Sequence, residues 1–391
     1  MNDETLLIHL NEERSKHSGP VIPPIYQNSL FTFSKWDDID KAFDDPANSQ
    51  VYTRGNNPSV NLVEDKIAKL CGGEKAKMFS SGMGAISSAI LNCVKVNDHI
   101  ITVEGIYGPA NNFISKYLYE KSNINSTFVD GTNINNFKNA ITDNTSLIYL
   151  ESPTSATFKL QNIEAICELA AEHNIKVIID NTWATPLFQK PLKYGVDIEV
   201  HSCSKYISGH SDVIAGVVIG KEEIIDSITL NESALLGATM SPIESSLILR
   251  SLRTLPLRVK GHQENTSKII DFLKESPKIK EIFHPIVNQQ NDLYQKQMTG
   301  FTGLLSLELA TTNLDEIKNF VNSLQYFKLG VSWGGFESLV YAPAISYLKE
   351  LTTDQFKSMG ISLGTIRLSI GLENSDDLIT DLEQALDDLK G

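Results

Sequence analysis

At 391 residues the chain is too long for one small domain and suits two or three; with 41% hydrophobic and 21% charged residues it can bury a full core, which excludes a disordered chain. Thirty-four basic against 48 acidic side chains leave a net charge of −14 with no basic run, a poor match for nucleic acid or an anionic membrane. No stretch approaches the ~20 apolar residues of a spanning helix. The start, Met1 to Arg14, lacks the charge-then-apolar order of a secretory signal. Cys71, Cys93, Cys167 and Cys203 show no paired or metal-ligand spacing, so free thiols in a cytoplasmic protein are expected.

Residues 1–60 read as irregular, with Pro20, Pro23, Pro24 and a polar stretch at Asn56–Asn57–Pro58. Such a segment packs poorly on itself and suits an arm reaching a neighbouring subunit. From about residue 75, short apolar runs alternate with helical periods. The pattern predicts strands at 77–81, 100–104, 146–151, 177–180, 198–202 and 216–219, and helices at 85–94, 112–119 and 163–173. This is an α/β layout with a mostly parallel sheet covered on both faces, in which ligands sit at the carboxyl ends of the strands. A long helical region follows at 242–275, broken near Thr254–Pro256. Strand-like runs at 304–309, 328–332 and 365–371, with helices at 314–324 and from Asp376, form a smaller α/β unit with antiparallel character. The boundary is placed near residue 250.

The strongest local signal is a pair of strand ends. Val177–Ile179 runs into Asp180, and 25 residues later Val200–Ser204 runs into Lys205. A lysine beside a buried strand loses hydration, which lowers its proton affinity and suits it to Schiff-base chemistry. A carboxylate at a neighbouring strand end can hold a pyridinium nitrogen protonated. The two together fit a pyridoxal-phosphate site, and they fit an ordinary buried ion pair equally well. Ser80-Ser81-Gly82-Met83-Gly84 lies between strand and helix, where backbone amides can meet an anion, though many strand–helix turns look alike. Ser202 and Ser204 offer hydroxyls there, or are plain strand-end polarity. Tyr107 follows a strand end and reads as a stacking ring or a rim tyrosine. Tyr52 and Arg54 belong to the polar arm, where solvated side chains are usual. Arg367 sits in an otherwise apolar strand, where a buried guanidinium needs an anion: a substrate carboxylate or a structural one. His201 and His210 have no zinc spacing, Ser204 has no nucleophile elbow, and no dinucleotide fingerprint follows a strand.

At these residues the sequence resembles the Cys/Met-metabolism pyridoxal-phosphate enzymes, which include cystathionine γ-synthase, cystathionine β- and γ-lyases and methionine γ-lyase. The resemblance is carried in order by Pro23-Pro24-Ile25-Tyr26-Gln27, Tyr52-Thr53-Arg54 with Asn57-Pro58, Ser80-Ser81-Gly82-Met83 and Glu151-Ser152-Pro153. It continues through Asp180-Asn181-Thr182, Ser202-Cys203-Ser204-Lys205-Tyr206, Gly209-His210-Ser211-Asp212, Ser332-Trp333-Gly334-Gly335 and Arg367-Leu368-Ser369-Ile370-Gly371. It implies the aspartate-aminotransferase-like transferase fold (type I) and pyridoxal 5'-phosphate as cofactor. The implied division is an arm over 1–60, a cofactor domain over 61–250 and a C-terminal domain over 251–391. By the same resemblance Lys205 bonds the cofactor and then moves protons. Asp180 meets the ring nitrogen, and Tyr107 stacks on the ring. The amides of Gly82 and Met83 and the hydroxyls of Ser202 and Ser204 hold the phosphate. Tyr52 and Arg54 reach the phosphate of a neighbouring subunit, so a homo-oligomer is implied, at least a dimer and usually a tetramer. Arg367 with Ser332 binds the α-carboxylate of a small sulfur amino acid.

Four departures bear on the reaction. Ser155-Ala156 stand where many members have asparagine and proline. Trp333 follows Ser332 where leucine is common, and Pro109 follows Tyr107 by two residues where methionine γ-lyases usually carry cysteine. Val331 replaces the glutamate that γ-enzymes often have. The combination is most similar to one branch of bacterial cystathionine β-lyases, with Ser155 and Trp333 as candidate substrate contacts. The expected reaction is β-elimination of cystathionine or cysteine to pyruvate, ammonia and a thiol, with chemistry at Cγ as the alternative.

Overall fold

The computed structural model describes residues 1–12, 14–287, 291–350 and 360–389. Seven strands form the larger sheet: β1 (Lys75–Phe79), β2 (His99–Val103), β3 (Asn125–Val129), β4 (Thr145–Glu151), β5 (Lys176–Asp180), β6 (Ile198–Ser202) and β7 (Gly216–Gly220). Their order is β1-β7-β6-β5-β4-β2-β3, and only β7 runs against its neighbours. The carboxyl ends of the other strands therefore share one edge of the sheet.

The central strands are buried on both faces, which is why β4 to β7 read as nearly unbroken apolar runs. Adjacent residues feed two cores: Met78 and Val217 pack with the helices Asp3–His9, Pro58–Cys71 and Pro242–Leu252, while Phe79 and Val218 pack with Gly82–Cys93 and Ile163–Glu172. Local signals set the helix ends. Asn57 caps the helix Pro58–Cys71 by accepting from the Ser59 amide at 2.9 Å, and Gly72 at φ 80° terminates it in the left-handed region where glycine carries no penalty.

The smaller sheet has the order β10-β11-β12-β9-β8, from β8 (Ile279–Phe283), β9 (Leu304–Leu309), β10 (Lys328–Leu329), β11 (Leu339–Tyr341) and β12 (Thr365–Ser369). It is antiparallel except for the β10–β11 pair. Helices Leu314–Ser323 and Ser375–Asp387 cover it. The two sheets are joined by a cluster around Trp183, whose indole N–H donates to the Leu304 carbonyl at 3.1 Å while its own carbonyl accepts from Thr302 Oγ1 at 2.7 Å.

Three differences from the sequence reading have physical reasons. The strand Asn125–Val129 and the helix Ile134–Ala140 were not expected; β3 is an edge strand rich in Asn, Ser and Thr, so the apolar signal fails. The first 60 residues are not wholly irregular. The helix Asp3–His9 buries Leu6 and Leu7 against its own chain, and Lys66 Nζ donates to the Leu7 carbonyl at 3.0 Å and pairs with Glu12. A second helix spans Trp36–Asp44. Residue 250 falls inside the helix Pro242–Leu252, and the smaller sheet starts only at Ile279. All four cysteines are free thiols.

Candidate active site

The shared strand edge gathers the polar groups. Asp180 is the last residue of β5 and is buried. Its Oδ1 accepts from the Thr182 amide at 2.9 Å and from Thr182 Oγ1 at 2.5 Å; that hydroxyl in turn accepts from the Ser202 amide at 2.8 Å. Burial raises the proton affinity of Asp180, against the Thr182 hydrogen bonds and the charges of His201 and Lys205, which lower it. Thr182, which the sequence reading passed over, thus locks Asp180 in place and ties β5 to the end of β6.

Lys205 lies in the turn after β6, half-buried, with Nζ donating to Ser332 Oγ at 3.1 Å and sitting 5.6 Å from the centre of the Trp333 ring. Burial lowers its proton affinity, the Arg367 charge lowers it further, and Asp180 acts the other way. Trp333 also packs on Tyr206, ring centres 5.6 Å apart. Arg367 is on β12 but is only half-buried, which corrects the expectation of a buried guanidinium. Strand alternation turns that position to the open side of the smaller sheet. There it donates to the Val331 carbonyl at 2.6 Å and lies 5.1 Å over the Tyr341 ring.

Next to Ser202, the helix Gly82–Cys93 begins. Ser81 caps it, its Oγ accepting from the Gly84 amide at 2.9 Å. A Cβ on Gly82 would come within 2.9 Å of Ser202 Oγ, and one on Gly216 within 2.3 Å of the Ser81 carbonyl, so the helix start can lie this close only with glycine at both. The Gly82 and Met83 amides donate to no protein acceptor among the described residues. The Ser204 hydroxyl is occupied by Ala215, accepting from its amide at 2.9 Å and donating to its carbonyl at 3.3 Å.

Tyr107 follows β2 and is 43% exposed. Its amide donates to Glu151 Oε2 at 2.7 Å, and the other Glu151 oxygen accepts from Ser155 Oγ. Partial burial, Asp180 and Glu151 all raise the proton affinity of the tyrosine hydroxyl. Glu151 was quoted only as part of a motif; its signal was that it ends a buried apolar strand just as Asp180 does. Tyr52 and Arg54 are not brought into this cluster within one chain. Arg54 lies 5.9 Å over the Tyr52 ring, on the segment whose Gly55 carbonyl accepts from Lys77 Nζ. On the face of β6 opposite Asp180, Glu199 accepts from Asn181 at 2.8 Å and pairs with His201 at 2.7 Å, with Cys71 Sγ 3.9 Å from the same histidine nitrogen.

Pyridoxal 5'-phosphate calls for four groups, an amine of lowered proton affinity, a fixed carboxylate, an aromatic face and free helix-start amides, and an amino-acid substrate calls for a fifth, a cation for its carboxylate. The arrangement supplies all five, and the Gly82–Ser202 approach leaves the amides exposed to an anion.

The fold is that of the type I pyridoxal-phosphate enzymes: a crystal structure described as O-acetylhomoserine (thiol)-lyase from Campylobacter jejuni, carrying N'-pyridoxyl-lysine-5'-monophosphate, superposes with a TM-score of 0.93 at 30% identity over 99% of this chain and 100% of that one. The family model of Cys/Met metabolism PLP-dependent enzymes matches residues 4–387, and the chain belongs to that family. It is 38% identical to an L-methionine γ-lyase of Fusobacterium nucleatum over 98% of this chain and 97% of that one. It is 35% identical to a cystathionine β-lyase of Lactococcus lactis over 98% of each. The protein is a pyridoxal-phosphate-dependent carbon–sulfur lyase of sulfur amino-acid metabolism. Among its described residues no helix is long and apolar enough to cross a membrane.

Proposed function

We propose that this lyase eliminates at Cβ of cystathionine or cysteine, giving pyruvate, ammonia and a thiol. The carrying observation is that Lys205 Nζ is tethered to Ser332 Oγ at 3.1 Å, with the Trp333 ring centre 5.6 Å away. An amine held there takes one proton, from Cα. The γ-route needs a second proton shift, at Cβ, and hence a base with more freedom.

In this reading Arg367, with Ser332, takes the substrate α-carboxylate bidentately. Pyridoxal 5'-phosphate, when bound, would supply the electron sink that makes the Cα proton acidic. Lys205, made less basic by burial and by Arg367, accepts that proton on Nζ. Asp180 keeps a proton on the ring nitrogen through the oxygen that Thr182 leaves free. The Gly82 and Met83 amides and Ser202 bind the phosphate, while the Ser204 hydroxyl, taken up by Ala215, is not offered to it. Tyr107 covers the ring face, and its hydroxyl, held protonated, supplies a proton to the departing sulfur. Trp333 and Ser155 wall the side-chain pocket.

Tyr52 and Arg54 complete the phosphate site of a neighbouring subunit, so the active unit is at least a dimer, and two dimers make a tetramer. Supporting this, the arm leaves Val21, Ile22, Trp36 and Phe43 each at least 65% exposed, an apolar surface suited to a second copy of the chain.

One observation favours a second reading, cleavage at Cγ of methionine: the methionine γ-lyase relative is the more similar of the two, at 38% identity against 35% for the cystathionine β-lyase. A product screen on cystathionine, cysteine, methionine and O-acylated homoserines separates the two. Pyruvate from cystathionine supports β-elimination. A product dominated by 2-oxobutanoate, or by a new thioether, overturns it.

A further inference from the structure

Glu151 is a buried carboxyl at the site to which the reading above gives no task. It ends β4, where its register partner on β5 is Asp180. Both its oxygens are used. Oε2 accepts the Tyr107 amide at 2.7 Å and Oε1 accepts the Ser155 hydroxyl. Ser155 in turn donates its amide to the Gly105 carbonyl at 2.9 Å, and Gly105 turns the chain at φ 78°. The loop between β2 and the helix Gly108–Asn112 is thus gripped twice, at Tyr107 directly and at Gly105 through Ser155. Tyr107 is an exposed residue, at 43%, so packing within the chain covers only part of it. Its place over the site is set by its backbone, and its backbone is held by Glu151.

We propose that Glu151 is a positioning residue for Tyr107, its carboxyl bracing the loop that sets the tyrosine ring on the cofactor. The proposal rests on the stacking role given to Tyr107 above. Ser155 completes the brace; at the position where the family commonly has asparagine, its short hydroxyl donates to Glu151.

The electrostatics fit a brace that works as a neutral acid, its proton lying in the hydrogen bond between Oε1 and the Ser155 oxygen while Oε2 accepts the Tyr107 amide. Burial first, and then the Asp180 carboxylate, push Glu151 up to about 8, while the bonds from Ser155 and the Tyr107 amide oppose the rise. The groups facing it are Asp180 from β5, Tyr149 from its own strand and Tyr107 from the loop, with Lys205 beyond Asp180. Glutamine reproduces the neutral form, keeping a carbonyl acceptor for the Tyr107 amide.

The test measures release of pyridoxal 5'-phosphate from the holoenzyme, followed by its visible absorbance during dialysis. Glu151→Ala is expected to speed release roughly tenfold through loss of a buried hydrogen-bonded brace. Glu151→Gln restores most of the wild-type hold. In a Tyr107→Ala background, where no ring remains to be placed, Glu151→Ala adds less than about twofold, because the two residues act as one unit. An equal Glu151→Ala penalty in both backgrounds overturns the proposal, as does a glutamine variant as leaky as alanine. If Tyr107→Ala speeds release and Glu151→Ala does not, only the brace fails. If Tyr107→Ala leaves release unchanged, the stacking role fails and takes the brace with it.

Discussion

Glu151 and Asp180 face each other in register on the adjacent parallel strands β4 and β5, so both carboxyl groups leave the sheet on the same side. Two buried carboxylates in that position cannot both ionise cheaply. Asp180 has Thr182, His201 and Lys205 to favour its charge, whereas Glu151 has only neutral donors. Of the two, Glu151 therefore holds a proton the more readily, which suits Asp180 to its proposed role as the charged partner for a ring nitrogen.

That division has a consequence for stability in the cofactor-free protein. The folded pKa of Glu151 is about 8, against an ordinary value of 4.5. The folded state then binds a proton that the unfolded chain releases. Its contribution is fully present below about 4.5 and lost as the pH rises through about 8. We expect the melting temperature to fall between these values, and the fall to shrink in Glu151→Gln. Parallel melting curves for the two proteins across that window would show the glutamine variant to be wrong by an unchanged slope.

Lys205→Ala is expected to remove the visible band of the bound cofactor and to lower turnover by about 10²–10⁴-fold or more, the range lost with a proton-transfer group. Spectra and single-substrate rates on the purified variant decide it. Turnover at the wild-type rate would mean that another amine does this work.

Arg54→Ala should leave the oligomer intact and speed loss of the cofactor by about tenfold, the worth of a charge-assisted bond to a phosphate oxygen. Light scattering alongside absorbance separates the two effects. A variant that dissociates into monomers while holding its cofactor as tightly as before would remove the cross-subunit role.

Trp333→Leu widens the space above Lys205 Nζ and frees the amine from the indole face that lies 5.6 Å away. The ratio of 2-oxobutanoate to pyruvate should rise by about tenfold on substrates that permit both, within the discrimination a hydrophobic pocket wall supplies. Keto-acid analysis reads the ratio directly. If it stays put, Trp333 serves only to pack on Tyr206.

The central strands were legible because burial on both faces writes itself as an apolar run; β6 and β9 fall where the pattern put them. Two of the four edge strands, β3 and β8, were not, nor was the three-residue inner strand β11. β3 and β8 each show water on one side, and their polar residues break the run. Asp180 and Lys205 stood out because each closes an apolar strand with a charge. Glu151 does the same, but its meaning depends on facing Asp180 across a strand pair, and register cannot be read from one segment alone. Arg367 was misjudged for a related reason: a charge in an apolar strand reads as buried until one knows which face of the sheet it is on.

The bond from Lys205 Nζ to Ser332 Oγ joins a turn of the larger sheet to a loop of the smaller one. Residues so far apart in the chain meet only when the two halves are closed upon each other. In the role proposed for Lys205, the amine is thereby set by a segment 127 residues further along the chain, and a partly opened molecule lacks that hold.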